Sequence, residues 1–226
     1  MSELSLLDTP IARMSLSDTV YEKLLEAIVS GRLPSGQELS EVEIARQVGV
    51  SRTPVHDAVV RLVTDGFLRQ TTDRRLQVVQ FAAEELVAIY HMRRLLEGEA
   101  ARVAATRIEA AALLALRQRA EELLAAVDDP DWNEREIDYD LDFHAVIAQA
   151  SGNPLLERDI GRYRLLIRSF CRMTGTRANL QAALNEHMQI LDALERRDGR
   201  AASRAMQQHV EARLAGVQQA MQQGST

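Results

Sequence analysis

The chain has 226 residues and a formal net charge of −6, with 46% hydrophobic but only 4% aromatic residues. This length suits one large or two small domains, and the scarcity of aromatic side chains favours helices packed on helices over a β-sandwich. The single cysteine, Cys171, excludes an internal disulfide framework and fits a reducing cytosol. Because no run of about 18 apolar residues is found, no membrane span is expected. The predicted location is cytoplasmic.

The N-terminal part predicts a helix-turn-helix. Residues 1–13 lack periodicity and are expected to form a flexible arm. The next segment, Thr19–Ser30, has an apolar face typical of a helix, and Ser17 is its predicted cap. A second helix is predicted over Glu41–Gln47, and Gly49 supplies the tight turn that follows it.

A third helix and a β-hairpin complete this predicted domain, which spans residues 14–80. The helix opens at Ser51, a favourable N-cap residue, and Pro54 lies in its first turn, where a missing N–H costs nothing. Two short strands are predicted over Phe67–Gln70 and Leu76–Gln80, with a polar turn between them. The order helix, helix, helix, strand, strand indicates a winged helix-turn-helix.

The remainder of the chain, residues 81–226, predicts an all-helical domain. Helices are expected near 82–107, 109–127, 134–150, 154–173, 177–197 and 199–221, separated by Gly-, Pro- and Asp-containing segments. Six antiparallel helices of this length form a bundle. The predicted fold class is therefore mainly α, with an N-terminal winged helix-turn-helix and a C-terminal antiparallel helical bundle.

Several segments resemble one family of bacterial transcription regulators. The segment PSGQELSEVEIARQVGVSRTPVHDAVVRLVTDGFL resembles the DNA-binding domain of the GntR family. The later segments that resemble the FCD effector domain of its FadR subfamily are RRLLEGEAA (93–101), DLDFH (140–144), SGNPLL (151–156), EHMQILDALERRD (186–198) and His209. The resemblance covers about residues 14–222, and six helices are typical of the smaller, VanR-like version of that domain.

The start of the third helix carries the residues expected to read DNA. The resemblance implies base contacts by Arg52 and Thr53, and an arginine fork can read both O6 and N7 of guanine. Five further residues are expected to contact the phosphates or the grooves of double-stranded DNA, namely Ser51, His56, Arg61, Arg74 and Arg75. Residues 44–75 carry six arginines against three aspartates, which suits a DNA-facing module on an otherwise acidic chain. The alternative is that these arginines are solvated surface residues.

Two positions depart from the pattern of the family that the chain resembles. Val42 and His56 stand where family members often have arginine or a similar donor. Val42 offers only apolar contact, and His56 cannot form the arginine fork. The resemblance therefore implies a diverged operator or weaker binding to each half-site.

Four residues of the helical domain predict a metal site. Asp140 and His144 are four residues apart and share a helix face, while His187 follows an apolar stripe and His209 lies among small residues. A lone inward histidine is usually a core residue, but three imidazoles and a carboxylate converging in a bundle suit a divalent transition metal. Zinc is the default, with nickel or manganese as alternatives. The four positions also match the Asp/His/His/His pattern of the family that the chain resembles.

Two arginines are candidates for binding a small carboxylate effector. Arg93 interrupts the apolar face of the first bundle helix, and a buried guanidinium requires an anionic partner. Two interpretations stay open: Arg93 holds the carboxylate of the effector, or it forms an internal salt bridge with Glu97 or Asp142. Arg164, on a later helix, is the second candidate.

Together these features predict a ligand-responsive transcription regulator. We expect a homodimer that binds a palindromic operator, usually as a repressor, and that senses a small organic acid at the metal site. Two alternatives stay open, namely a metal-dependent enzyme acting on small organic acids and a regulator whose metal is purely structural. No residue stands out as a general base beside the metal ligands, so we expect no enzymatic activity.

Overall fold

The computed structural model describes residues 15–71, 73 and 75–224. The chain divides into two units, one ending at Gln80 and the other beginning at Phe81. The predicted flexible arm, residues 1–13, lies outside the described residues. None of the helices in the described ranges combines the length and the apolar character that a membrane span requires.

Over residues 15–71, 73 and 75–80, the first unit is a winged helix-turn-helix with three helices and three short strands. Its elements are α1 (Leu16–Val29), β1 (Glu38–Leu39), α2 (Glu41–Val48), α3 (Arg52–Asp65), β2 (Leu68–Gln70) and β3 (Leu76–Val78). The strands form an antiparallel sheet in the order β1-β3-β2, with Leu68 opposite Val78. The sequence did not predict β1, because a strand of two residues is too short to show alternation.

The N-terminal cap of α1 corrects one prediction. The Ser15 hydroxyl accepts a hydrogen bond from the Asp18 backbone N–H, and the Asp18 carboxylate accepts one from the Ser15 backbone N–H, both at 3.1 Å. The predicted cap, Ser17, was wrong because Ser15 and Asp18 form a reciprocal capping box two residues earlier. At the predicted turn, Gly49 ends α2 with φ 74°, a left-handed conformation that a residue with a Cβ adopts only with strain.

The core of the first unit forms between α1 and α3. The buried apolar residues on these two helices are Val20, Leu24, Ile28, Val55, Ala58, Val59 and Leu62. Phe67, Leu68 and Val78 extend this core to the sheet. Burying this face of α3 leaves its opposite face, including its first residues, exposed to solvent.

The second unit is a bundle of helices. Its elements are α4 (Ala83–Ala104), α5 (Ala110–Ala125), α6 (Trp132–Ala150), α7 (Pro154–Thr174), α8 (Arg177–Glu195) and α9 (Gly199–Gly224). The helix α4 packs most extensively against α9, and α6 packs against α4, α7 and α8. In the part of this unit that the structure describes, the predicted bundle and its six helices are therefore confirmed, with α4 ending three residues before its predicted end.

A continuous apolar core joins the helices of the second unit. It includes large side chains from α6, such as Tyr139, Phe143 and Ile147, and from α8, such as Leu184 and Ile190. Trp132, the single tryptophan of the chain, is fully buried at the start of α6, and its Nε1 donates a hydrogen bond to the Leu123 carbonyl at 2.7 Å. The polar residues described next interrupt this core.

Candidate metal centre and nucleic-acid interface

The N-terminus of α3 presents a row of exposed polar residues. Ser51 has the extended backbone of an N-cap, with φ −69° and ψ 167°, but its hydroxyl makes no capping hydrogen bond. Ser51, Arg52 and Thr53 are all exposed. The start of α3 is therefore exposed to solvent, at a helix end whose dipole favours an anion.

Two further residues predicted to contact DNA are exposed and pair with acids of the same unit. The Nη1 atom of Arg61 lies 2.5 Å from Oδ1 of Asp18, and its guanidinium lies over the Tyr21 ring at 4.3 Å. The Nδ1 atom of His56 lies 3.1 Å from Oε1 of Glu41. Exposed pairs of this kind contribute about 0–1 kcal/mol, so a phosphate can replace the carboxylate at small cost.

The wing is the hairpin of β2 and β3, and one of its two candidate arginines also forms an ion pair with an exposed acid. The Nη1 atom of Arg75 donates to Oε2 of Glu38 at 2.7 Å, and both side chains are exposed. The other candidate, Arg74, lies outside the described residues. Val42, which departs from the family pattern, is exposed on α2.

In the second unit, the structure brings together the four residues predicted to bind a metal. Asp140 and His144 project from α6, His187 from α8 and His209 from α9. One ligand atom from each lies within 4.8 Å of the others. Oδ1 of Asp140 lies 3.4 Å from Nε2 of His187 and 3.6 Å from Nε2 of His144. The two remaining histidines, His56 and His91, are exposed and lie outside this cluster.

Two buried or half-buried carboxylates orient the rings of this cluster. Nδ1 of His144 contacts Oε2 of Glu97, and Nδ1 of His209 lies 2.8 Å from Oε2 of Glu186. When these nitrogens donate to the carboxylates, the Nε2 lone pairs stay available for a ligand. Metal-binding histidines in proteins are commonly held by such carboxylates.

The donor set fits a transition metal by two criteria. Nε2 of His187 and Nε2 of His209 are buried and have no hydrogen-bond partner in the described part of the chain. Burial holds the pKa of His187 and the pKa of His209 well below their usual range, so both rings are neutral at pH 7. Neutral imidazole is the form that binds a metal. A metal ion would satisfy ring nitrogens that otherwise remain desolvated without a partner.

The two candidate effector arginines both contact carboxylates of this region. Nε of Arg93 donates to Oε1 of Glu97 at 2.7 Å, so the internal salt bridge considered from the sequence is present and involves Glu97. Asp142, the other partner considered for Arg93, pairs instead with Arg119 at 2.9 Å. The guanidinium of Arg164 contacts Oδ2 of Asp140.

A cavity of about 60 Å³ lies beside the cluster of Asp140 and the three histidines. Its polar lining includes Arg93, Arg164, Arg213, Glu136 and Asp140. Arg93 therefore both pairs with Glu97 and lines the cavity, so its salt bridge does not exclude a role towards an effector. The concentration of guanidinium groups makes the cavity suitable for an anion.

Sequence reasoning missed three polar residues that line this cavity or contact the cluster. Glu186 pairs with His209 and with Arg213, whose Nη2 lies 3.3 Å from Oε1 of Glu186. Burial raises the pKa of Glu186, and Arg213 opposes that shift. The third missed residue, Glu136, lies one turn before Asp140 on α6. Its spacing of four residues from Asp140, and of eight from His144, was a signal that could have found it.

Glu97 shows how strongly the charges around the cluster depend on one another. Burial alone would raise the pKa of Glu97, but the Arg93 guanidinium, the His144 ring and Arg164 together hold it well below its usual range. Glu97 is therefore a buried carboxylate that stays ionised. Such an anion is tolerated because both of its oxygens face cationic or donor groups.

The sequence matches two families in the regions that correspond to the two units. Residues 16–78 match "Bacterial regulatory proteins, gntR family", and residues 88–212 match "FCD domain". The match to the FCD domain alone covers more than half of the chain.

Curated proteins and a solved structure are similar along most of the chain. A probable D-xylose utilization operon transcriptional repressor of Paenarthrobacter nicotinovorans is 29% identical, over 90% of this chain and 89% of that protein. The HTH-type transcriptional repressor RspR of Escherichia coli is 26% identical, over 93% of this chain and 92% of that protein. The structure of E. coli McbR/YncC superposes with a TM-score of 0.78 at 24% identity, covering 92% of this chain and 99% of that one. The structural likeness supports the fold.

Proposed function

This chain belongs to the gntR family of bacterial regulatory proteins and carries an FCD domain, and we propose that it is a metal-dependent, acid-responsive repressor. It is a DNA-binding transcriptional regulator and not an enzyme. In the proposal it binds a palindromic operator as a homodimer in the cytoplasm and releases the operator when a small organic acid binds. The convergence of four ligand atoms within 4.8 Å carries the sensing part of the proposal.

On the DNA side, Arg52 and Thr53 would contact base edges. The surrounding contacts would come from Ser51, His56, Arg61, Arg74 and Arg75. Helix-turn-helix dimers place one recognition helix in each half of a two-fold symmetric site. The exposed start of α3 supports this assignment, since its side chains are not used to hold the fold. Two proteins that are similar over most of this chain are named repressors, which supports repression rather than activation.

On the sensing side, the metal would be held by Asp140, His144, His187 and His209. Zinc is the default metal, with nickel or manganese as alternatives. When bound, the metal supplies a Lewis-acidic position for the carboxylate of the acid. Arg93 and Arg164 would bind the same anion from the cavity wall. Arg164 suits this role because its guanidinium both contacts Asp140 and lines the cavity.

Release of the operator requires that the acid binds two conformations of the protein with different affinity. A coupling of this kind typically amounts to 1–3 kcal/mol, which is about 5- to 150-fold in operator affinity. The acid can impose this difference only through groups that it contacts. Arg93, Arg164 and the metal ligands are therefore the residues whose substitution should uncouple the acid from the operator.

Footprinting on the upstream region of the protein's own gene tests the proposal. We expect a protected palindrome that disappears when a binding acid is added to the zinc-loaded protein. Arg52→Ala should lower operator affinity by about 1–3 kcal/mol, because it removes a bidentate base contact. Arg158→Ala is the matched control, since Arg158 is an exposed arginine of α7 paired with Asp159, and it should bind normally. Absence of any protected palindrome contradicts the proposal.

A further inference from the structure

Glu136 is a buried acid that the proposed mechanism does not use. It lies on α6, one turn before Asp140, and only 1% of its surface is exposed. Neither of its carboxyl oxygens has a hydrogen-bond partner within the described part of the chain. Its side chain lines the same cavity as Asp140 and Arg164.

The other acids of this region differ from Glu136 in one respect. Glu97 contacts Arg93 and His144, Asp140 contacts Arg164, and Glu186 contacts Arg213 and His209. Each of these carboxylates therefore holds a neighbouring side chain in place. Glu136 holds none through its carboxyl oxygens, although it is as buried as Glu97.

An acid that is buried without a partner destabilises the fold unless something in the cavity satisfies it. The cavity of about 60 Å³ has room for a few water molecules or for the polar end of a small ligand. A ligand that fills the cavity must therefore bring a hydrogen-bonding group of its own to Glu136. Otherwise it leaves the carboxyl desolvated and unpaired, which weakens binding.

We propose that Glu136 is a specificity-determining residue of the effector cavity, and that it selects acids that carry a hydroxyl group near their carboxylate. The inference rests on the proposed function, because it assumes that an organic acid binds in this cavity. The carboxylate of the acid faces the arginines and the metal ligands, and its hydroxyl faces Glu136.

A hydroxyl group fits this position better than the two obvious alternatives. An ammonium group would enter a cavity that Arg93, Arg164 and Arg213 already line with positive charge. An apolar substituent would leave Glu136 without a partner. A hydroxyl group adds no charge and can both donate and accept a hydrogen bond, so it pairs with a carboxyl group in either protonation state.

The protonation of Glu136 supports the same geometry. Burial raises the pKa of Glu136 to about 8, although Arg213, Arg164 and His144 oppose that shift. In the metal-free protein at neutral pH the carboxyl group therefore carries a proton, which it can donate to the hydroxyl oxygen. Its second oxygen can accept the hydroxyl proton of a neighbouring group or of water.

Calorimetric titration of the full-length, zinc-loaded protein tests the inference with matched pairs of acids. Each pair differs by one hydroxyl group: glycolate and acetate, lactate and propionate, malate and succinate. In at least one pair, the wild-type protein should bind the hydroxy acid about 10- to 100-fold more tightly, because the other acid leaves Glu136 unpaired. Glu136→Leu should abolish that preference, whereas Glu136→Gln should keep part of it, since an amide also donates and accepts.

Glu122→Gln is the control, because Glu122 is exposed on α5, and it should leave the preference unchanged. If Glu136→Leu does not fold, Glu136→Ala replaces it as the variant without a polar group. Equal binding of both acids in every pair, or the same preference in the wild type and in the apolar variant, overturns the inference and leaves acid sensing intact. Binding of none of the six acids overturns the proposed sensing of small acids together with the inference.

Discussion

Two ion pairs of equal length show how differently the two units hold their charges. In the DNA-binding unit, Arg75 donates to Glu38 at 2.7 Å, with 63% and 52% of the two side chains exposed. In the helical unit, Arg93 donates to Glu97 at 2.7 Å, with 1% of each side chain exposed. The first pair contributes at most about 1 kcal/mol, whereas removing one partner of the second leaves a buried charge at a cost of about 3–5 kcal/mol.

The burial of these charges determines which substitutions affect stability. The residues proposed to read DNA can exchange an exposed carboxylate for a phosphate, and the core of their unit is built by other residues, such as Val55 and Leu62. The residues proposed to sense the acid are part of the core itself, since His144 and His187 are buried among apolar side chains. Substitutions of the exposed residues proposed to read DNA should therefore alter DNA binding alone. Substitutions of the buried residues proposed to sense the acid should alter stability as well.

The largest expected effect is that of metal removal. We expect the melting temperature of the helical unit to fall by roughly 10 °C in calorimetry after chelation, because a metal present far above its Kd contributes about 4 kcal/mol. His187→Ala should show the lower melting temperature even with zinc present. His91→Ala, at an exposed position of α4, is the matched control and should respond to zinc normally.

An unchanged melting temperature after chelation would contradict the metal site. A lower melting temperature with unchanged affinity for the acid would instead support the structural role of the metal that the sequence left open. The comparison between the units predicts that Arg52→Ala, in contrast to His187→Ala, leaves the melting temperature unchanged.

A smaller effect is expected for the pH dependence at Glu136. Burial raises the pKa of Glu136 to about 8. Its contribution to the free energy of unfolding is therefore fully present below the pKa that Glu136 has in the unfolded chain, and this contribution is lost as the pH rises towards 8. We therefore compare the free energy of unfolding of metal-free Glu136→Gln with that of the metal-free wild type. The difference in favour of the variant should increase between pH 5 and pH 8, by on the order of 2–4 kcal/mol. Urea unfolding at both pH values measures this difference.

The comparison of variant with wild type is necessary because His187 and His209 have the opposite pH dependence. Their pKa values are lowered by burial, so the stability that they contribute is lost as pH falls. The same measurement on Glu122→Gln, at an exposed position, should give a difference that does not vary with pH. A pH-independent difference for Glu136→Gln would show that this carboxyl is ionised in the fold.

The smallest expected effect lies in the wing. If Arg75 leaves Glu38 for a phosphate, Arg75→Ala should reduce the slope of log affinity against log salt concentration by about 1. Operator titrations at several salt concentrations measure the slope, with Arg158→Ala as the control. An unchanged slope would mean that Arg75 stays paired with Glu38 on DNA. The melting temperature should not change in either variant.

Much of the fold could be predicted from the sequence because its signals are local. The turn glycine Gly49, the cap position Ser51 and the apolar stripes each act over a few residues. One local prediction was wrong: Ser17 was predicted as the cap of α1, whereas Ser15 caps the helix and pairs reciprocally with Asp18. The strand β1 has no local signal and forms only because β3 offers it hydrogen-bonding groups.

The candidate site could be predicted in part for a similar reason. Asp140 and His144 share one helix face, and their spacing together with the family resemblance led to His187 and His209. The partners of these rings could not be derived in this way, because Glu97 and Glu186 come from α4 and α8 and meet the rings only in the bundle. The ion pair of Arg93 shows the same limit, since spacing suggested Glu97 but could not exclude Asp142.

Trp132 gives the helical unit its own optical signal. It is the single tryptophan of the chain, it is buried on the helix that also carries Glu136, Asp140 and His144, and the Arg177 guanidinium lies 5.8 Å from its ring. Indole emission excited near the red edge therefore comes from this unit alone. Quenching or a spectral shift on adding zinc or an acid would report binding there, without a label and with the DNA-binding unit optically silent.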